Sequence, residues 1–193
     1  MTNVTLESPL VNIARLGKRE LTVDGRSCWL DEIAFQDMLN IRGNPADPRF
    51  VQAVASVCGL ELPVKANTAS LGAQRQLLWL GPDEWLLKVA GGEGDAIESA
   101  LRASLQGQHF SVVQVGSGNT TLALEGPASA DLLSRGCPLD LHSRIFKDGA
   151  LAQSHIAKAN VTILCQQAGQ RFEVTVRRSF ADYLFRWLCE AGT

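Results

Sequence analysis

The chain has 193 residues, 46% of them hydrophobic and 20% charged, which describes an ordinary globular chain with one sizeable core or two small ones and argues against a disordered chain. Its formal charge of −2 comes with interspersed signs and no basic block, so the electrostatic footprint of a nucleic-acid binder is missing. The opening MTNVTLESPLVNIARL has no continuous apolar h-region, and no later run approaches the ~18 apolar residues of a membrane span, so a soluble, cytoplasmic protein is expected.

Residues 1–24 are mixed in character and are expected to form an arm or edge element. From Cys28 to Ile41 short alternating pieces read as strand, ending at the turn Arg42-Gly43-Asn44-Pro45. Asp47-Pro48 then opens a helix with Pro at its first position, with Phe50, Val51, Val54, Ala55 and Val57 inward and a stop near Gly59. Gln76–Leu80 and Glu84–Val89 are predicted to pair as a hairpin across Gly81-Pro82-Asp83. Gly91-Gly92-Glu93-Gly94 leads into a helix expected to be capped by Asp95, with Ile97, Leu101 and Leu105 on one face. Phe110–Val115 and Thr121–Leu124 read as a second hairpin around Gly116-Ser117-Gly118-Asn119.

A short helix is predicted over Ala128–Ser134, stopped by Gly136-Cys137-Pro138. Ile145–Gly149 reads as loop, followed by strands over Ala150–Ile156, Asn160–Gln166 and Phe172–Val176, the last two turning at Ala168-Gly169. In the final strand Phe172, Val174 and Val176 alternate with Glu173, Thr175 and Arg177, as for a strand with one buried face. The closing helix places Phe180, Tyr183, Leu184, Trp187 and Leu188 on one stripe, with Ser179 at the N-cap position and Asp182 in the first turn.

Two segments answer each other. RGNPADPRFVQAVASVCGLELP and EGPASADLLSRGCPLDL each run through Gly, Pro, a helix, a Cys beside Gly and a Leu-acid-Leu ending. Gly43 and Gly126, Cys58 and Cys137, and Trp85 and Phe172 fall at similar offsets. A period of this size occurring only twice predicts an α+β fold of two related βαβ-type halves, about 28–106 and 107–191, with antiparallel sheets and packed helices, within one domain over 1–193.

The chemistry-bearing residues are sparse. Five cysteines (Cys28, Cys58, Cys137, Cys165 and Cys189) are scattered with no C-x-x-C pair, which suits reduced thiols. The histidines, His109, His142 and His155, have no metal-ligand spacing, so no metal site is expected. The glycine run at 91–94 lies between strand and helix, where a dinucleotide fingerprint would lie. The third fingerprint glycine would be Ile97, however, and Glu93 and Asp95 would repel a pyrophosphate. No G-x-S-x-G elbow occurs. Cys137 follows a helix end, where the dipole disfavours a thiolate, and reads as a small buried thiol. No catalytic or cofactor-binding residue is therefore assigned. Attention moves to aromatics that the core has no evident room for, and Trp79, Trp85 and Phe185 are the candidate interface residues.

The strings Leu39-Asn40-Ile41-Arg42-Gly43, Leu78-Trp79-Leu80-Gly81-Pro82-Asp83-Glu84-Trp85-Leu86, Gly136-Cys137-Pro138-Leu139-Asp140-Leu141 and Arg178-Ser179-Phe180-Ala181-Asp182-Tyr183-Leu184 together resemble the gamma-subunit family of heterotetrameric sarcosine oxidase. That family is related in fold to the folate-binding domain of the glycine-cleavage aminomethyltransferase. The resemblance implies an accessory chain, packed with alpha, beta and delta subunits, in an assembly that oxidises sarcosine to glycine with release of hydrogen peroxide and formaldehyde or methylenetetrahydrofolate. FAD, FMN, NAD, zinc and tetrahydrofolate would then belong to the partner subunits. The essential acid of aminomethyltransferases would fall in Ala157-Lys158-Ala159-Asn160, which has no carboxylate, and the K-G-C-Y-x-G-Q signature of related iron-sulfur assembly proteins is absent. The alternative is a free-standing folate-binding or folate-dependent protein of the same fold.

Overall fold

A computed structural model describes residues 7–11 and 18–192. In chain order its elements are β1 (Arg19–Val23), β2 (Arg26–Ile33), β3 (Asp37–Arg42), α1 (Pro48–Cys58), β4 (Ala69–Leu71), β5 (Gln76–Gly81), β6 (Glu84–Val89), α2 (Gly94–Ser104), β7 (Ser111–Gln114), β8 (Asn119–Glu125), α3 (Ser129–Ser134), β9 (Leu151–Ile156), β10 (Ala159–Gln167), β11 (Arg171–Arg177) and α4 (Ala181–Ala191). The strands form a six-stranded sheet in the order β1-β2-β8-β11-β10-β9 and a five-stranded sheet in the order β4-β5-β6-β3-β7. The chain divides into two compact units, one of Gln36–Ser117 with Gly149–Leu151 and the other of Met1–Phe35, Gly118–Asp148 and Ala152–Thr193. Of the arm expected over 1–24, residues 1–6 and 12–17 lie outside the described residues, while β1 is the edge strand beside β2.

Strand order is the same in both units. Reading β3 with β8, β4 with β9, β5 with β10, β6 with β11 and β7 with β2 superimposes one list on the other, leaving β1 as an addition at the edge. The pairings among the strands are antiparallel, and the interior strands β6, β8 and β11 are buried on both faces along most of their length.

In the Gln36–Ser117 unit, α1 begins where expected. The Asp47 backbone is extended (φ −85, ψ 113) and its carboxylate accepts from the Arg49 N–H, while Pro48 supplies a preset φ at the first helical position. Gly59 ends the helix in the left-handed region (φ 67), and its N–H donates to the Ala55 carbonyl at 2.9 Å. The core joins Leu39 and Ile41 of β3, Phe50 and Val54 of α1, Leu77, Trp85 and Leu87 of the β5–β6 hairpin, and Ile97 and Leu101 of α2. The predicted apolar face of α2 is the observed one. Its N-cap residue is Glu93, with Asp95 inside the first turn, and Asp37 does the capping: its Oδ2 accepts from the N–H groups of Gly92 (2.7 Å) and Gly94 (2.8 Å). Asp37, at the start of β3, is distant in sequence from α2, which is why the local pattern pointed to Asp95 instead.

The predicted hairpin of Phe110–Val115 with Thr121–Leu124 does not form. β7 pairs with β3, and β8 pairs with β2 and β11. Gly116–Gly118 is a turn of 3-10 helix that carries the chain from one unit to the other. Two strands separated by a glycine turn satisfy the hairpin pattern, but each is paired with strands distant in sequence instead.

In the second unit, β8 and β11 are interior strands. β11 is buried on both faces from Phe172 to Val176, against the one-faced burial its alternation suggested. Its polar residues are accommodated by lateral pairing. Glu173 accepts from the Gln166 amide at 2.9 Å, and the Thr175 and Thr121 hydroxyls meet at 3.5 Å. The closing helix also departs from expectation. Arg178–Phe180 form a 3-10 turn, so α4 starts at Ala181 with Phe180 as an N-cap that makes no side-chain bond, and Ser179 caps nothing. The tighter turn shifts the phase of the helix by one residue. Ala181, Leu184, Phe185 and Leu188 face inward, and Phe180 and Tyr183 form an exposed edge-to-face pair at 6.4 Å.

Two substitutions test this packing. A side chain at Gly43 would occupy the position of the Phe50 ring, so Gly43→Ala is expected to cost ~1–3 kcal/mol in denaturant unfolding through overpacking. Asp37→Ala leaves the α2 amides without their acceptor and should cost about 1 kcal/mol, the usual size of a lost N-cap; wild-type stability in either variant would contradict the assigned contact.

Candidate functional site

The positions that could have carried chemistry are occupied by structural work. The glycine run before α2 offers its amides to the Asp37 carboxylate, which already fills the anion position at that helix start. Cys137 is buried, and its thiol donates to the Ser154 hydroxyl at 3.9 Å. Burial pushes the Cys58 thiol up to about 11, against the opposing pull of Arg75. Burial, with the Asp148 carboxylate adding to it, pushes Cys165 up to about 11. Cys28 and Cys189 are also raised, chiefly by burial. A thiol with its pKa raised in this way holds its proton at neutral pH and is a poor nucleophile. Among the described residues no group of three His, Cys, Asp or Glu side chains is placed to hold a metal ion.

The three aromatics singled out as interface anchors are mostly interior. Trp85 is fully buried, its indole N–H donates to the Pro63 carbonyl at 2.8 Å, and its ring lies 5.7 Å from that of Phe50. Phe185 is on the buried face of α4 because of the one-residue phase shift. Trp79 is half-buried against the core of the Gln36–Ser117 unit. The core therefore holds more aromatic volume than its apolar periodicity suggested, and Trp85 and Phe185 are corrected from exposed to internal positions.

Exposed apolar groups lie elsewhere. They include Trp29, Phe35, Val64, Val113, Ile145, Phe180 and Tyr183. Two features stand out from this set by their geometry. The first is an open cleft of about 810 Å³ at one end of the five-stranded sheet, lined by Arg42, Asn44, Pro45, Pro82, His109 and Phe110 among others. Arg42 is paired there with Asp83 at 3.0 Å, and the Gly43 N–H donates to the Asp83 carbonyl at 3.1 Å, which ties the end of β3 to the β5–β6 turn. The cleft thus brings together the LNIRG and GPDEW strings, yet its strongest charge is already neutralised by Asp83.

The second is the loop from Asp140 to Asp148, which is fixed at both ends. Leu141 and Phe146 are buried, Phe146 stacking on Phe172 with ring centroids 6.3 Å apart. Asp140 accepts from the His142 N–H at 2.9 Å, and the His142 carbonyl accepts from the N–H groups of Ile145 (2.8 Å) and Phe146 (2.9 Å). His142 Nδ1 accepts from the Arg144 N–H at 3.1 Å, and Asp148 accepts from the Ala168 N–H at 2.7 Å. Between these anchors Ile145 is 66% exposed. Reading the stretch from Ile145 onward as plain loop missed this residue, although an isoleucine between Arg144 and Lys147 is a legible signal once the loop is known to be held.

Against known proteins, the profile described as "Sarcosine oxidase, gamma subunit family" matches residues 42–193. The sarcosine oxidase subunit gamma of Corynebacterium sp. (strain U-96) is 32% identical over 186 residues, covering 95% of this chain and 88% of that protein. A chain of the heterotetrameric sarcosine oxidase from Corynebacterium sp. U-96, solved in complex with pyrrole 2-carboxylate, superimposes with a TM-score of 0.87 at 28% identity, covering 96% of this chain and 94% of its own. The aminomethyltransferase T of the glycine cleavage system from Bartonella henselae matches with a TM-score of 0.64 at 15% identity over 95% of this chain and 57% of that one, a likeness of fold. With the family model spanning more than half of the chain and a relative 32% identical over 95% of it, the chain belongs to the sarcosine oxidase gamma subunit family.

Proposed function

We propose that this chain is a non-catalytic subunit of a heterotetrameric sarcosine oxidase, held beside alpha, beta and delta subunits that carry the chemistry. The observation that supports this most directly is the near-complete superposition, in both directions, on a chain of such an assembly. The chain's own polar groups agree with a packing role. The carboxylate nearest a helix amide cluster is engaged in capping, and the thiols most perturbed by burial are held protonated. FAD, FMN, NAD, zinc and tetrahydrofolate are assigned to the partner subunits, with sarcosine converted to glycine there and with peroxide and formaldehyde or methylenetetrahydrofolate as the other products. A cytoplasmic setting is part of the same reading. No helix among the described residues is long and apolar enough to cross a membrane.

The common strand order of the two sheets supports treating residues 1–193 as one domain made of two related halves. The correspondences of Gly43 with Gly126, at the ends of β3 and β8, and of Trp85 with Phe172, in β6 and β11, point the same way. Of the three aromatic candidates, Trp79 is the one whose partial exposure keeps it available as a partner contact.

Affinity purification of the tagged chain from its native host should bring down flavin-bearing subunits, and the eluate should produce peroxide when sarcosine is added; a chain that elutes alone and inactive would contradict the reading. The fold shared with aminomethyltransferase motivates a second measurement. Calorimetric titration of the isolated chain with tetrahydrofolate should give no binding heat, and micromolar affinity would favour a folate-binding protein instead.

A further inference from the structure

We infer that the Asp140–Asp148 loop is a preformed docking knob, with Ile145 as its apolar tip, that inserts into an acid-rimmed apolar pocket on a partner subunit. The inference rests on the subunit reading above and names the surface through which it acts. Four observations carry it. Ile145 is 66% exposed, although it is a large aliphatic residue whose burial against a partner would be favourable.

The loop is also rigid for its length. Two buried side chains pin it, and its backbone amides at His142, Arg144, Ile145 and Phe146 all have acceptors within the loop. A side chain presented on such a backbone loses little further backbone entropy on binding, which is the condition for a contact to contribute strongly to affinity.

Charge then selects the partner's chemistry. Arg144 and Lys147 flank Ile145 and are exposed. Among the described residues neither enters an ion pair, whereas Arg26, Arg42, Arg49, Arg75, Arg102, Arg135, Arg171 and Arg186 all do. The loop's two carboxylates keep their charge but are directed at backbone, Asp140 accepting from the His142 N–H and Asp148 from the Ala168 N–H, and neither is paired with Arg144 or Lys147. An apolar tip with cations on both sides complements a hydrophobic pocket rimmed by Asp and Glu. Such an arrangement steers encounter through the rim and holds the complex through the centre.

The contrast with Val64 sharpens the assignment. Val64 is 65% exposed in the other unit, and Pro63, Lys65 and Glu61 around it provide no uniform sign of charge. It serves as the control.

The test uses the full chain and its cognate sarcosine oxidase subunits, co-expressed, with binding of the purified chain to the remaining subunits measured by interferometry. Ile145→Glu should weaken binding by ~30-fold or more, the size of a central anchor, while the melting curve of the isolated chain is unchanged. Ile145→Ala should weaken it by about fivefold or more, which keeps the test decisive if the glutamate variant melts early. Val64→Glu should bind as wild type. Arg144→Ala with Lys147→Ala should slow association and flatten its dependence on salt.

Wild-type affinity in both Ile145 variants would overturn the docking role while leaving the subunit reading intact. Failure of the wild-type chain to bind the other subunits at all would overturn the subunit reading and this proposal with it. If Ile145→Glu instead converts a dimer of the isolated chain to monomer in sedimentation, the pocket belongs to a second copy and the partner-subunit assignment is overturned.

Discussion

Each sheet of this protein is organised around an interior strand that ends in a glycine with no room for a side chain. β3 runs into Gly43, where a Cβ would collide with the Phe50 ring of α1, and β8 runs into Gly126, where a Cβ would sit 2.9 Å from the Ser27 carbonyl oxygen at a φ of +122. In the first case the missing side chain lets a helix residue drop onto the end of the strand. In the second it lets β2 pass close beside the turn into α3, so the Ala128 N–H can donate to the Ser27 carbonyl. Both devices let the chain leave an interior strand and return over the same sheet within a few residues, which is how a short helix comes to cover a central strand. The rest of each core follows, because the strands that flank β3 and β8 are those whose apolar residues those helices bury.

Local patterns in the sequence carried the elements well where local chemistry decides them. Asp47-Pro48 with Gly59, the hairpin across Gly81-Pro82-Asp83, and the Ile97, Leu101, Leu105 face of α2 each depend on residues a few positions apart. Misreadings arose where distant residues decide. The partner of β7 is β3, and the cap of α2 is Asp37, both remote in the chain. The same is true of β11, whose polar alternation suggests solvent on one side until Gln166 and Thr121 are seen to pair with it.

The aromatic residues show the limit of periodicity most clearly. A single 3-10 turn before α4 rotates the stripe by one position, which sends Phe185 inward and leaves Phe180 and Tyr183 outside. Trp187 nonetheless finds a place, because Gly136 leaves room for its ring. Trp85 was legible as a strand residue but not as the centre of a core, since its burial depends on Phe50 and on the Pro63 carbonyl that receives its N–H. The surface candidate was harder still to read. Nothing local marks Ile145 as exposed and held, because what holds it is the burial of Leu141 and Phe146 and amides bonded within the loop.

On the proposed reading this chain contributes to an enzyme through shape and contact, with its Asp37 carboxylate engaged in capping and its buried thiols held protonated. In that account its rigid framework presents fixed surface features, and the chemistry lies with larger neighbours. The most direct measurement of that central claim is native mass spectrometry of the sarcosine-oxidising complex isolated from the chain's own host. The account predicts a single assembly in which this chain is present in equal number with three other kinds of subunit. A complex of full sarcosine oxidase activity that lacks the chain would contradict it.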